Sequence, residues 1–349
     1  MRMRRVDNPP NPYESSHAEW LEPPPPARIE VYEEQARSIL SRNESPDLPF
    51  EWSVNPYRGC QHACAYCYAR TYHEYLGFGA GTDFETRLVA KVNAPELLDA
   101  AFRKKSWRRQ SVHFSGITDC YQPIEATYEL TRRCLEVCLA HANSACIVTK
   151  GALVIRDADL LARLNRRAGA SVLVSIPFAE AEPCKLLEPQ APPPDRRFEM
   201  IRRLREASVP TGVIVSPIVP SLTDHDIPEI LERSAAAGAT WATFTMLRLP
   251  GNVEKVFVRR LAEVMPLRKE KILNGLRAMR GGALNEGRFG CRFYGTGPRW
   301  KSIAGLFRIH QQRLGLGEVD QMQPLDCSRC HQTCAQSHVE TQLMLDLND

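Results

Sequence analysis

The sequence contains no run of about eighteen apolar residues, the least that would cross a membrane as a helix. It also lacks the start of an export leader, because Met1-Arg2-Met3-Arg4-Arg5 gives way to prolines and acids where an apolar stretch would follow. A large charge excess is missing too. The net charge of +4 does not by itself call for a polyanionic partner. These absences predict a cytoplasmic chain with no membrane partner, and 43% hydrophobic with 25% charged residues is the composition of a soluble globular protein. At 349 residues it can form one large α/β domain with extensions, or two smaller ones. In a reducing compartment its 12 cysteines point to metal binding or buried thiols more than to disulfides.

What is present is organised around Arg58-Gly59-Cys60-Gln61-His62-Ala63-Cys64-Ala65-Tyr66-Cys67-Tyr68-Ala69-Arg70. Cysteine thiolates are soft ligands for iron–sulfur clusters and zinc, and a closed site of either kind normally takes four protein ligands. Here only Cys60, Cys64 and Cys67 are near one another in sequence. A cubane held by these three keeps one iron open to a ligand from a substrate or cofactor. Zinc is the alternative, although zinc fingers and ribbons usually bring two pairs of ligands and no C-x2-C partner lies nearby.

From residue 50 the chain alternates strand and helix patterns. Strands are expected over residues 50–54, 85–92, 111–114, 145–149, 171–176, 212–215 and 239–246, with helices over 95–104, 126–141, 157–167, 196–207 and 227–236 between them. Repeated strand–helix units imply a parallel sheet, and about six of them suit a sheet closed partway into a barrel. The expected fold is therefore α/β, a partial (βα)6 TIM-like barrel over residues 46–252. A Pro-rich arm over 1–45, helical near Tyr32 to Leu40, precedes it. A helical extension over 253–320 and a Cys-rich tail over 321–349 follow. In such barrels chemistry sits in the loops after the strands, which is where the cysteine loop, Gly116 to Gln122, Thr149-Lys150-Gly151, Ser175-Ile176-Pro177 and Ser216-Pro217 fall.

The C-x3-C-x-aromatic-C spacing resembles the cluster loop of the radical S-adenosylmethionine (SAM) enzymes. Further stretches resemble the spore photoproduct lyase-related branch, also called "DNA repair photolyase", in an uncharacterised subgroup. They include Asn55-Pro56-Tyr57-Arg58-Gly59-Cys60, Asp83-Phe84-Glu85-Thr86, Gly116 to Pro123, Thr149-Lys150, Leu187-Glu188-Pro189 and Leu247-Arg248-Leu249-Pro250. The resemblance implies a [4Fe-4S] cluster on Cys60, Cys64 and Cys67 that reductively cleaves SAM to a 5′-deoxyadenosyl radical, with an electron donor such as flavodoxin or ferredoxin. It implies the backbone near Tyr66 beside adenine, Gly116 and Thr118 near the methionine amino end, and Lys150 and Ser175 on the SAM carboxylate and ribose. An ammonium suits a carboxylate and a hydroxyl suits a ribose. The lyase's hydrogen-donating cysteine falls at Gly116, a departure that leaves Cys120 and Tyr121, with Asp119, as candidates for radical quenching or substrate contact.

Two further features stay open. Cys327, Cys330 and Cys334, with Cys291, could hold a second iron–sulfur cluster or a zinc ion, or remain free thiols. Three basic clusters, 103–109, 163–167 and 196–205, could follow a phosphate backbone if they shared a face, or could be the solvated faces of helices. A nucleic acid lesion or base is the expected substrate. The alternatives are a peptide or small metabolite, or a non-catalytic iron–sulfur regulator that binds nucleic acid.

Overall fold

The computed structural model describes residues 8–13 and 28–318. Its centre is a seven-stranded sheet in which six strands run parallel: β3 (Trp52–Val54), β6 (Val112–Phe114), β7 (Ala145–Thr149), β8 (Ala170–Ser175), β9 (Thr211–Ile218) and β10 (Ala242–Met246), each beside the next. A short antiparallel β2 (Leu40–Arg42) lies outside β3. Between the parallel strands run the helices Ala94–Phe102, Leu130–Ala140, Ala158–Ala168, Pro194–Glu206 and Ile227–Ala236. All six residues of β8 are buried, as a strand covered on both faces requires. The sheet does not close, so the architecture is the expected partial (βα)6 barrel.

Local sequence explains the crossovers. Helix Ala158–Ala168 turns Leu160, Leu161 and Leu164 inward, each almost wholly buried and each stabilising the fold by about 1.5–3 kcal/mol. It stops at Gly169, whose φ of +97° is open to glycine and whose N–H closes the last turn on Leu164 O and Asn165 O. Beyond β10 the helices Val253–Val264, Pro266–Met279 and Gly297–Arg313 pack on the barrel. The last is tied to the β10 edge by Gln311, which donates to the carbonyls of Ala242 and Gly317.

Two expectations are corrected. The strand predicted over 85–92 is β5 (Arg87–Lys91), and it leaves the barrel for a side sheet with β1 (Glu30–Glu34) and β4 (Tyr57–Arg58). The helix predicted near Tyr32 to Leu40 is replaced by β1 and β2, because Val31 and Tyr32 favour a pleated partner and β5 offers a parallel edge.

Candidate functional site

The cysteine loop is seated by backbone contacts that its sequence makes possible. Gly59 has φ +73°, and a β-carbon there would lie 3.0 Å from both the Phe84 carbonyl and the Leu88 side chain. Only glycine lets Cys60 reach the Phe84 carbonyl, to which its N–H donates at 2.8 Å. Behind the loop, Arg70 is fully buried. Its guanidinium donates to Cys64 O at 2.9 and 3.0 Å, to Ala80 O and Gly81 O, and to Glu85 at 2.5 Å. Ala65 N–H adds a bond to Leu187 O at 2.9 Å. Cys60 and Cys64 are buried and Cys67 is half-buried.

Burial pushes the Cys64 thiol well up. Burial and the neighbouring Cys60 push Cys67 up to about 11. Three thiols thus sit close enough to feel one another at a desolvated seat, where a positive cluster core would hold them as thiolates. Among the described residues no three His, Cys, Asp or Glu side chains converge tightly enough for a single ion, whose tetrahedral thiolates would be about 3.8 Å apart at zinc–sulfur bonds near 2.3 Å. Three soft thiols in one loop are a donor set that fits an iron–sulfur cluster.

Asp119 joins three of the loops at the carboxyl ends of the strands. Its carboxylate accepts from Thr149 Oγ1 at 2.6 Å, from the Lys150 N–H at 2.7 Å and from the Tyr121 N–H at 2.9 Å, and it lies 3.3 Å from His62 Nδ1 within the cysteine loop. Burial works against both charges and is the largest single influence on each, but the remaining influences together outweigh it: Asp119 and Cys60 lift His62 to about 10, and His62 with the Thr149 and Lys150 donors lowers Asp119 to about 2.

The second cluster of polar groups is buried under the same mouth. Lys150 Nζ donates to Ser175 Oγ at 2.6 Å and stands 3.6 Å from Glu188 Oε1. Glu188 in turn takes the Tyr66 hydroxyl, the Arg197 guanidinium and the Cys184 thiol, the last at 3.4 Å. Burial lowers the Lys150 ammonium, while Cys64 and Cys67 work to raise it, which puts this cation within the field of the cysteine loop. The structure therefore brings Tyr66, Lys150 and Ser175 together. Thr118 and Gly116 join from the β6 loop: Thr118 Oγ1 donates to Gly59 O at 2.5 Å, and Gly116 O accepts the Tyr68 hydroxyl at 2.7 Å.

Other predicted residues are placed differently. Cys120 is fully buried, its backbone held by Ser115 and Thr131. The Tyr121 hydroxyl points to Asp157 at 3.1 Å, where Arg132 and Arg156 also converge. Both side chains therefore lie in the packed layer beneath the mouth. Cys291 is exposed, and Cys327, Cys330 and Cys334 lie outside the described residues.

The basic clusters lie away from the mouth. Arg197 is in the core on Glu188. Arg166, Arg167, Arg203 and Arg205 occupy the last turns of their helices, and residues 103–109 lead into β6, so these charges sit toward the amino ends of the strands, away from the mouth. The macrodipole explains that placement. Glu188, Arg197, Arg70 and His62 were given no individual role from sequence. The available signal was a carboxylate between Leu187 and Pro189 in an otherwise apolar setting.

Comparison with known proteins follows this geometry. Residues 54–233 match the Radical SAM superfamily. "Uncharacterized protein Rv2578c" of Mycobacterium tuberculosis is 38% identical over 241 residues, 68% of this chain and 71% of that protein. A "Radical SAM Nalpha-GlyT isomerase" of Pseudomonas phage M6 is 27% identical over 188 residues, 53% of this chain and 37% of the isomerase. Among solved structures, a spore photoproduct lyase variant with bound AdoMet and dinucleoside spore photoproduct superposes with a TM-score of 0.61 at 17% identity, over 82% of this chain and 80% of the lyase.

Proposed function

Because this chain belongs to the radical SAM superfamily, and so is an enzyme of SAM-dependent radical chemistry, we propose that Cys60, Cys64 and Cys67 hold its [4Fe-4S] cluster and that its substrate is a nucleic acid base or lesion. The cluster and SAM together supply reductive cleavage of the sulfonium and a radical able to abstract hydrogen.

The chain's own residues account for binding and exclusion of water. Lys150 offers its ammonium to the SAM carboxylate, and Ser175 offers its hydroxyl to the ribose. The observation that carries this assignment is the 2.6 Å Lys150–Ser175 contact at the ends of β7 and β8, on the side of the barrel that holds the cysteine loop. Glu188 and Arg197 hold Tyr66 and Lys150 in place from beneath. Asp119 fixes the β6 and β7 loops against His62. Burial of Cys120 and Tyr121 leaves them as packing residues in this scheme, and hydrogen transfer falls to groups at the mouth. The substrate class is supported by the dinucleoside carried by the similarly folded lyase. An electron donor such as flavodoxin or ferredoxin would reduce the cluster.

The test is anaerobic. Iron and sulfide are counted in the reconstituted full chain and in a Cys60→Ala/Cys64→Ala/Cys67→Ala variant, and 5′-deoxyadenosine is assayed after adding dithionite and SAM. Loss of deoxyadenosine in the variant is expected. Iron retained by the variant would place a second cluster on the remaining cysteines, of which Cys327, Cys330 and Cys334 with Cys291 are the proposed set. Equal deoxyadenosine from both proteins would overturn the ligand assignment.

A further inference from the structure

Arg248 follows β10 and therefore stands at the carboxyl end of the last barrel strand. Its guanidinium lies 5.0 Å from the centre of the Phe293 ring and 5.8 Å from that of Tyr68, the residue directly after Cys67. Among the described residues it has no ion pair and no hydrogen bond, and its Nε is buried without a partner. That is unusual for an arginine, since an unmet buried donor costs about 1–3 kcal/mol. Burial, followed by the charge of nearby Arg292, weakens its hold on its proton.

Neighbouring arginines are already engaged. Arg292 pairs with Asp47 at 2.5 Å and stacks on Phe289 and Phe293 at 4.7 and 4.9 Å. Arg280 donates to the carbonyls of Leu247, Cys291 and Arg292, and so braces the two segments that carry Arg248 and Phe293. Among the described residues, Arg248, Arg280, Arg288 and Arg292 face Asp47 and Glu286 as carboxylates, an excess of two positive charges. Beside them Tyr68 and Tyr72, 39% and 44% exposed, bring two aromatic side chains to the surface next to the cysteine loop.

We propose that Arg248, stacked between Tyr68 and Phe293, binds a phosphate of a single-stranded nucleic acid whose adjoining bases stack on Tyr68 and Tyr72. A guanidinium whose faces are covered by rings still presents its edge, which matches a phosphate in bidentate fashion. Open aromatic faces beside a cation are the recurring means of holding unpaired bases. A duplex would keep its bases inside the stack and leave the tyrosines idle. This proposal rests on the nucleic-acid reading above and adds where the strand lies: across the mouth, not along the basic helix ends.

The experiment measures fluorescence anisotropy of a labelled single-stranded 20-mer, with an equal duplex and poly-glutamate as competitors, against the reconstituted full chain over a range of salt. Arg248→Ala is expected to weaken single-strand binding about tenfold and to lower the salt slope by about one ion. Arg248→Lys is expected to restore part of the affinity, and Phe293→Leu, which keeps every charge, to weaken binding with the slope unchanged. An Arg163→Ala/Arg166→Ala/Arg167→Ala variant is expected to bind as wild type. If Arg248→Ala does not fold, Arg248→Lys and Phe293→Leu still decide the matter, and wild-type affinity in both would overturn the site. Wild-type binding lost only on the helix-end substitutions would also overturn it while leaving the nucleic-acid substrate standing. No binding by wild type, or displacement by poly-glutamate as readily as by the 20-mer, would remove the substrate class itself.

Discussion

Arg197 offers the sharpest perturbation of the buried polar layer. Its guanidinium donates to Glu188, to Pro192 O at 2.7 Å and to Ser175 O at 3.0 Å, all away from solvent. Arg197→Met preserves most of the volume and removes the charge. Deleting one partner of a buried pair leaves an uncompensated ion and costs about 3–5 kcal/mol. Lys150, 3.6 Å from Glu188, takes over part of the compensation, so the lower end, about 3 kcal/mol, is expected. With a urea m-value of about 3 kcal/mol/M for a chain of this size, the unfolding midpoint should fall by about 1 M.

The pair then predicts its own rescue. Adding Glu188→Gln to Arg197→Met removes the orphaned carboxylate, and the double variant should recover about half of the loss relative to additive single effects. The assay is urea unfolding of the apo chain, followed by tryptophan fluorescence under reducing conditions. A midpoint shift below about 0.3 M for Arg197→Met, or strict additivity in the double variant, would refute the claim that Glu188 is charged and held chiefly by Arg197.

Three further outcomes follow from the same contacts. Lys150→Ala should raise the SAM dissociation constant about ten- to a hundredfold in calorimetric titration of the reconstituted protein, the loss of one charge-assisted bond of about 1.5–3 kcal/mol; unchanged affinity would misplace the SAM carboxylate. Gly59→Ala should reduce iron loading on reconstitution, because the added carbon meets Phe84 O and Leu88 at 3.0 Å in a left-handed backbone, and full loading would show that the loop can shift. Burial lowers His73 to about 4 and His113 to about 3. Both folded values lie below the unfolded value near 6.5, so the unfolded chain takes up protons first: stability is complete above about pH 6.5 and is lost as pH falls from there toward 4 and 3. Each histidine should cost about 1–2 kcal/mol between pH 7 and pH 5, and His113→Phe should flatten its share in urea titrations at the two pH values.

Much of this protein was legible because parallel βα units write themselves strongly in sequence. The six barrel strands are apolar runs bounded by turns, and their order in the chain is their order in the sheet. The side sheet was not legible, since β1 and β4 are short and acquire their meaning only by pairing with β5, more than fifty residues from β1. In the site, Tyr66, Lys150 and Ser175, each expected around SAM, lie in one polar group joined through Glu188. Position in a loop does not say whether a side chain turns to the mouth or beneath it: Cys120 and Tyr121 are both buried, and the Tyr121 hydroxyl turns to Asp157.

Charge was the most misleading signal, for a reason that follows from helix physics. Arginines gather at the carboxyl ends of helices because the macrodipole favours them there, and in a βα barrel those ends face away from the chemistry. A count of basic residues along the chain therefore finds the wrong face. Arg248 stands as a lone charge between Leu247 and Leu249, in a stretch that carries the family resemblance but no expected role. Only the fold sets this cation, unpaired among the described residues, beside Phe293 and the tyrosine that follows Cys67, which is why the proposed phosphate contact falls on it and not on the three clusters. On the proposed nucleic-acid reading, the phosphate contacts that matter lie close to the reacting base, and the arginines in the last turns of the crossover helices lie at the opposite ends of the barrel strands from it.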